Sequence, residues 1–155
     1  MNGQVDQKSL IIPGLAGLYS SLAPYGYALI RFSAGAILMY HGYAKLFNGF
    51  APVVADKVLA PMGFPAPLAW AYWLGILEFF GAGLLAIGFL TRPIALMLAV
   101  EMAIVTFVSH WGNGYFFSAP RGGYEYPLLL MLLYIGIFMR GGGRCSVDRL
   151  IGKEF

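Results

Sequence analysis

Apolar residues fill four long stretches of this chain, and polar residues gather between them. The first stretch runs from about Tyr25 to Phe47, interrupted by Arg31, His41 and Lys45. The second, about Ala66 to Leu90, carries one charge, Glu78, and the third, about Ile94 to His110, carries only Glu101. The fourth lies between Glu125 and Arg140 and holds 14 uncharged residues, YPLLLMLLYIGIFM. A helix that crosses a bilayer needs about 20 residues, and roughly 17 at the least. The fourth stretch reaches that length only if Glu125 and Arg140 belong to its ends. Lipid offers an open backbone no hydrogen-bond partner, so each stretch is predicted to be a helix. Pro67, Pro93 and Pro127 stand near helix starts, where a missing N–H costs little. The short Thr91–Arg92–Pro93 turn makes the second and third spans an antiparallel hairpin.

The connecting segments carry weaker patterns. Residues 1–8 are polar, and with Asp6 cancelling Lys8 they lack the basic start of a signal peptide. Residues 10–23, broken by Pro13 and Gly14, suit an apolar piece lying at the membrane interface. A second such piece is expected within residues 48–65, where Val54 and Val58 stand one helical turn apart. The loop at 111–126 holds Trp111, Tyr115, Phe116, Phe117, Tyr124 and Tyr126, a density that marks an interfacial aromatic belt. The organisation predicted is a cytoplasmic tail and interfacial segment over 1–24, a four-helix membrane domain over 25–140, and a glycine-rich cytoplasmic tail over 141–155. The fold class is all-α: an integral membrane four-helix bundle of antiparallel helices.

Composition excludes the soluble alternatives. Hydrophobic types make up 59% of the chain and charged types 11%, with a mean hydropathy of +0.72. An average soluble domain has about 25% charged residues. The one cysteine, Cys145, cannot form an internal disulfide, and no Cys/His spacing suggests a zinc site. Net charge is +3, yet no run of five basic residues exists, so the expected partner is the lipid bilayer and not nucleic acid. With four spans, Lys8, Arg92, Arg140, Arg144, Arg149 and Lys153 share one side, against Lys45, Lys57 and Arg121 on the other. The positive-inside rule then places both termini in the cytoplasm.

The charges within the spans carry the chemistry. A charged side chain at a span centre costs about 2.5–3.5 kcal/mol, so such residues normally face protein and pair. At 1.5 Å per residue, Arg31 lies roughly 9 Å, Glu101 about 12 Å and Glu78 about 18 Å from the cytoplasmic end of its span. The arm of Arg31 is expected to reach Glu101, and to come near Glu78. Arg31, Gly35, Leu38, Gly42 and Lys45 form one stripe, and Ala71, Gly75, Glu78 and Ala82 another; small residues allow close helix approach. Two carboxylates against one guanidinium leave one negative charge over, so one glutamate is expected to hold a proton. Glu78 and Glu101 are therefore candidates for proton exchange, and Arg31, His41, Lys45 and Glu125 for binding a substrate. Buried charges that only lock the helices in register are the competing explanation.

His41 and His110 each stand about 25 Å from the cytoplasmic end. They could ligate a haem, but Glu101 and His110 are nine residues apart, on opposite faces of an ideal helix. If Glu101 points inward, His110 points outward, and haem is not the expected cofactor. Gly141-Gly142-Gly143 follows no strand and fits a helix end, not a phosphate loop.

These motifs resemble the DoxX family of small four-helix bacterial and archaeal membrane proteins. The resemblance rests on Arg31 with Gly35, His41-Gly42, Lys45-Leu46, Gly63-Phe64-Pro65, Glu78 with Gly81, and Gly88 followed by Thr91-Arg92. It continues through Gly123 with Glu125, Gly141-Gly142-Gly143-Arg144 and Ser146-Val147-Asp148. It implies a bacterial or archaeal inner-membrane protein, and a link to subunits of quinol oxidase and thiosulfate:quinone oxidoreductase assemblies. The expectation is a small subunit of a quinone-linked redox complex, an oxidoreductase component without independent activity. A tail near Arg144 and Asp148 would dock a protein partner, and a homo-oligomer is a further option. The alternatives are a non-catalytic scaffold and a proton-coupled carrier of small molecules.

Overall fold

A 3₁₀ turn at Pro13–Leu15 leads into a single long helix, α1 (Ala16–Phe47), in a computed structural model that describes residues 10–155. The polar tail expected at residues 1–8 lies outside the described residues. Pro24 stands inside α1 without ending it; one lost backbone bond does not break a helix of 32 residues. Residues 16–24, expected as part of an interfacial segment, continue the same helix as the first apolar stretch.

The predicted interfacial piece in 48–65 is a short helix, α2, made of Ala51–Val54 and a π turn at Ala55–Leu59. Next come α3 (Pro67–Ile87) and α4 (Thr91–Asn113), then α5 (Glu125–Arg140) and a last turn, α6 (Val147–Leu150). The chain is all-α among its described residues. Among the described residues three helices are long and apolar enough to cross a membrane: Pro13–Phe47, α3 and α4. With 16 residues, α5 is about 24 Å long, short of the roughly 30 Å hydrocarbon layer.

The glycine stripe of α1 explains how it meets α3. A Cβ on Gly42 would lie 2.7 Å from the Glu78 carbonyl carbon and 2.8 Å from the Gly75 oxygen, and one on Gly35 would lie 2.9 Å from the Ala86 side chain. Only a hydrogen fits at these two positions, so the backbones touch where the sequence placed its small residues. Rising numbers on α1 meet falling numbers on α3, so the two run in opposite directions. α5 packs mainly along α4. The fully buried Tyr134 ties α5 to α1 by donating to the Ala34 carbonyl at 3.0 Å. Leu85, Ile94, Leu98, Leu130 and Ile137 fill the space between the helices. Leu29, Val100, Val108 and Leu132 face outward, as suits lipid.

Candidate functional site

The intramembrane charges separate into two clusters, and the reason is the direction in which helical side chains lean. Each Cα–Cβ bond in an α-helix tilts toward the N-terminus. Lys45, near the end of α1, therefore leans back toward the middle of the bundle, and Arg31 leans away from it toward the start of α1. Lys45 donates from Nζ to Glu78 Oε2, forming a buried ion pair. The expected reach of Arg31 to Glu101 and Glu78 is not made.

Glu101 joins the Lys45–Glu78 pair. Its carboxyl lies beside that of Glu78 and is 7% exposed. Its Oε2 is buried and has no hydrogen-bond partner among the described residues. An unpaired buried oxygen of this kind costs about 1–3 kcal/mol or more, so it calls for an explanation. Glu101 lines a cavity of about 390 Å³ whose walls are chiefly apolar, including Leu38, Val58, Leu74, Met102 and Val105. Lys45, Glu78, His41, Ser109 and His110 supply the polar spots in that wall.

Both histidines line this cavity, which corrects the outward direction expected for His110. A π turn at Val105–His110 carries an extra residue between Glu101 and His110. Nine positions then advance the helix by about eight, and the angle between the two side chains falls from about 180° to about 80°. The His110 Nδ1 sits 3.0 Å from the Val105 carbonyl oxygen, and the His41 ring stacks on Tyr126 at 6.1 Å. A second π turn, Leu77–Gly81, carries Glu78 itself. With the one in α2, three π turns border the cavity; such turns occur frequently at functional sites. No group of three or more His, Cys, Asp or Glu able to hold a metal ion exists among the described residues.

Arg31 anchors a second cluster. It is 2% exposed and donates to the carbonyls of Ala86, Gly142 and Cys145. The glycine-rich segment after α5 is thus wrapped over the start of the bundle. Gly141 and Gly143 take φ of +76° there, which favours glycine. Asp148, 1% exposed, completes the knot. It accepts from the Leu90 N–H at 2.8 Å, the Thr91 N–H at 3.0 Å and the Thr91 hydroxyl at 2.6 Å. These are the unpaired donors at the start of α4. Asp148 is therefore turned inward and unavailable to the partner expected at the tail. Ser146 caps α6 by accepting from the Arg149 N–H.

Glu125 stands apart from both clusters. It accepts from the Phe117 N–H at 2.7 Å, pinning the aromatic loop to the start of α5, and does not line the cavity. Sequence reasoning missed the Lys45–Glu78 partnership and the Thr91–Asp148 knot. The signal for the first was present, since Lys45 ends the same stripe that begins at Arg31.

The family model described as DoxX matches residues 26–111, more than half the chain and every charged residue and histidine of the cavity. A Haemophilus influenzae protein is 32% identical over 132 residues, covering 84% of this chain and 94% of its own length. A second protein from the same organism is 31% identical over 109 residues, 70% of each chain. Both are described as uncharacterized. No solved structure matches.

Proposed function

From the premise that this chain belongs to the DoxX family, we propose that it is a small subunit of a quinone-linked redox assembly whose cavity receives a quinone ring. It is a multi-pass inner-membrane protein of bacterial type, like its relatives. In this reading α5 also crosses, with Glu125 and Arg140 at its ends, and both termini lie in the cytoplasm, on the side richer in basic residues. Burial of Lys45 supports this orientation, because the outer side then keeps only Lys57 and Arg121.

The observation that carries the reading is Glu101 itself, which lines the cavity and has one buried carboxyl oxygen without a partner among the described residues. The residues fit the ring of such a molecule. A volume of about 390 Å³ lies within the 300–1,000 Å³ of ordinary small-molecule sites, which are mostly apolar with a few placed polar groups. A bound quinone supplies chemistry that takes up two electrons and two protons. The chain's own residues orient the ring and hold a proton. Lys45 balances Glu78, which leaves no cation for Glu101, so the cluster's extra proton resides on Glu101. The Glu101 carboxyl then donates to the carbonyl oxygen of a guest, and a second donor of the Lys45 ammonium is free to do the same. Arg31 has no part in this, since its donors are engaged with the tail.

The test is extraction of quinone from protein purified with its native lipids. About one quinone per chain is expected in the parent and little in Glu101→Gln. A parent that holds none, and does not bind an added short-chain quinone, overturns the reading. A second reading, a non-catalytic accessory subunit, is favoured by the complete engagement of Arg31 and Asp148 in holding the tail. It predicts a stoichiometric protein partner and no quinone.

A further inference from the structure

A second concavity, about 840 Å³, opens where α1, the end of α5 and the tail meet. Arg140, Arg144, Arg149 and Lys153 stand in its wall, with two acids, Asp148 and Glu154. Neither acid neutralises the cations. Asp148 is spent on the start of α4, and Glu154 is paired with Arg92 at 3.0 Å. None of the four cations has an ion-pair partner among the described residues. Arg140 is held in place over the Tyr27 ring at 4.4 Å. Four like charges are thus drawn around one hollow by a tail that is locked to the bundle, an arrangement that raises the free energy of the empty protein and falls with a bound anion.

We infer that this cleft binds a phosphate group, presented by the headgroup of an anionic lipid or by a soluble phosphate. Guanidinium forks match phosphate oxygens in geometry as well as charge. Basic pockets between membrane helices at the interface are suited to anionic headgroups. Leu150 and Ile151, which lie between Arg149 and Gly152 of the cleft wall in the chain, are 86% and 48% exposed and offer apolar surface to acyl chains.

The experiment titrates the full chain in neutral detergent micelles with three probes, read by calorimetry. They are short-chain phosphatidylglycerol, phosphatidylcholine of the same chain length, and inorganic phosphate. The comparison variant is Arg149→Gln/Lys153→Gln, both exposed positions, with its melting temperature measured as a check on folding. Saturable binding of phosphatidylglycerol but not of the other two identifies a lipid headgroup; saturable binding of inorganic phosphate identifies a soluble source. In either case the double variant binds about 30-fold more weakly, the loss expected for two cations at a membrane surface. Binding of no anion, equal binding of both lipids, or an unchanged affinity in a folded double variant overturns the proposal.

Discussion

Replacing Lys45 by Met isolates the value of the central ion pair. Met keeps the length and the apolar stem of lysine but removes the charge facing Glu78. Removing one partner of a buried pair costs about 3–5 kcal/mol, because the other charge is left without compensation. An upper bound follows from proton chemistry. Protonating a carboxyl with an ordinary value near 4.3 costs about 3.7 kcal/mol at pH 7, so the unpaired Glu78 does not stay charged at a higher cost than that. The expected loss is therefore about 3–4 kcal/mol at pH 7, roughly 10 °C in melting temperature for a chain of this size. The sign of its pH dependence is also fixed. The folded variant holds one proton more than the folded parent, on Glu78 as well as Glu101, so its deficit grows as pH rises, by about 1.4 kcal/mol per unit. At pH 5 the deficit shrinks to about 1 kcal/mol. A double variant, Lys45→Met with Glu78→Leu, removes both charges and recovers most of the loss. Melting in detergent from pH 5 to pH 8 measures all of this. A Lys45→Met protein as stable as the parent at pH 7, or a deficit that does not change with pH, refutes the reasoning.

Other predictions follow from the two clusters and the helix contact. Gly42→Ala forces α1 away from α3 and costs about 2 kcal/mol, seen as a lower melting temperature without loss of helical circular dichroism. Asp148→Ala removes three hydrogen bonds at the start of α4 and frees the tail; trypsin then cuts at Arg144 and Arg149 faster in the variant than in the parent. Glu101→Gln removes from the infrared spectrum a protonated-carboxyl stretch that the parent shows at neutral pH. Cys145 is exposed, so a membrane-impermeant maleimide labels it in inverted vesicles and not in intact cells if the tail is cytoplasmic.

Hydropathy made the helices legible because burial in lipid demands long apolar runs, and α5 matches its predicted ends at Glu125 and Arg140. Arg31, Glu78 and Glu101 were legible as buried for the same reason, and all three are. Their partners were not. Depth measured along a helix axis locates a Cα, whereas a lysine or arginine acts several ångströms away in the direction its Cβ dictates. That displacement moves Lys45 onto Glu78 and takes Arg31 to the tail. The inward turn of His110 was hidden for a different reason. An extra residue in a π turn leaves no mark in the apolar pattern, yet it rotates everything that follows. Thr91 and Asp148 lie 57 residues apart, and only the tertiary fold brings them together.

The knot made by Arg31, Thr91 and Asp148 also sets an order of events during biosynthesis. Residues 142–148 leave the ribosome after every helix they fasten. Until then the Arg31 guanidinium and the first N–H groups of α4 wait within an inserted bundle without their final partners. The last step of assembly is therefore a check on the whole molecule. A chain that stalls before Asp148 keeps its spans but leaves an unmatched cation and an open helix end.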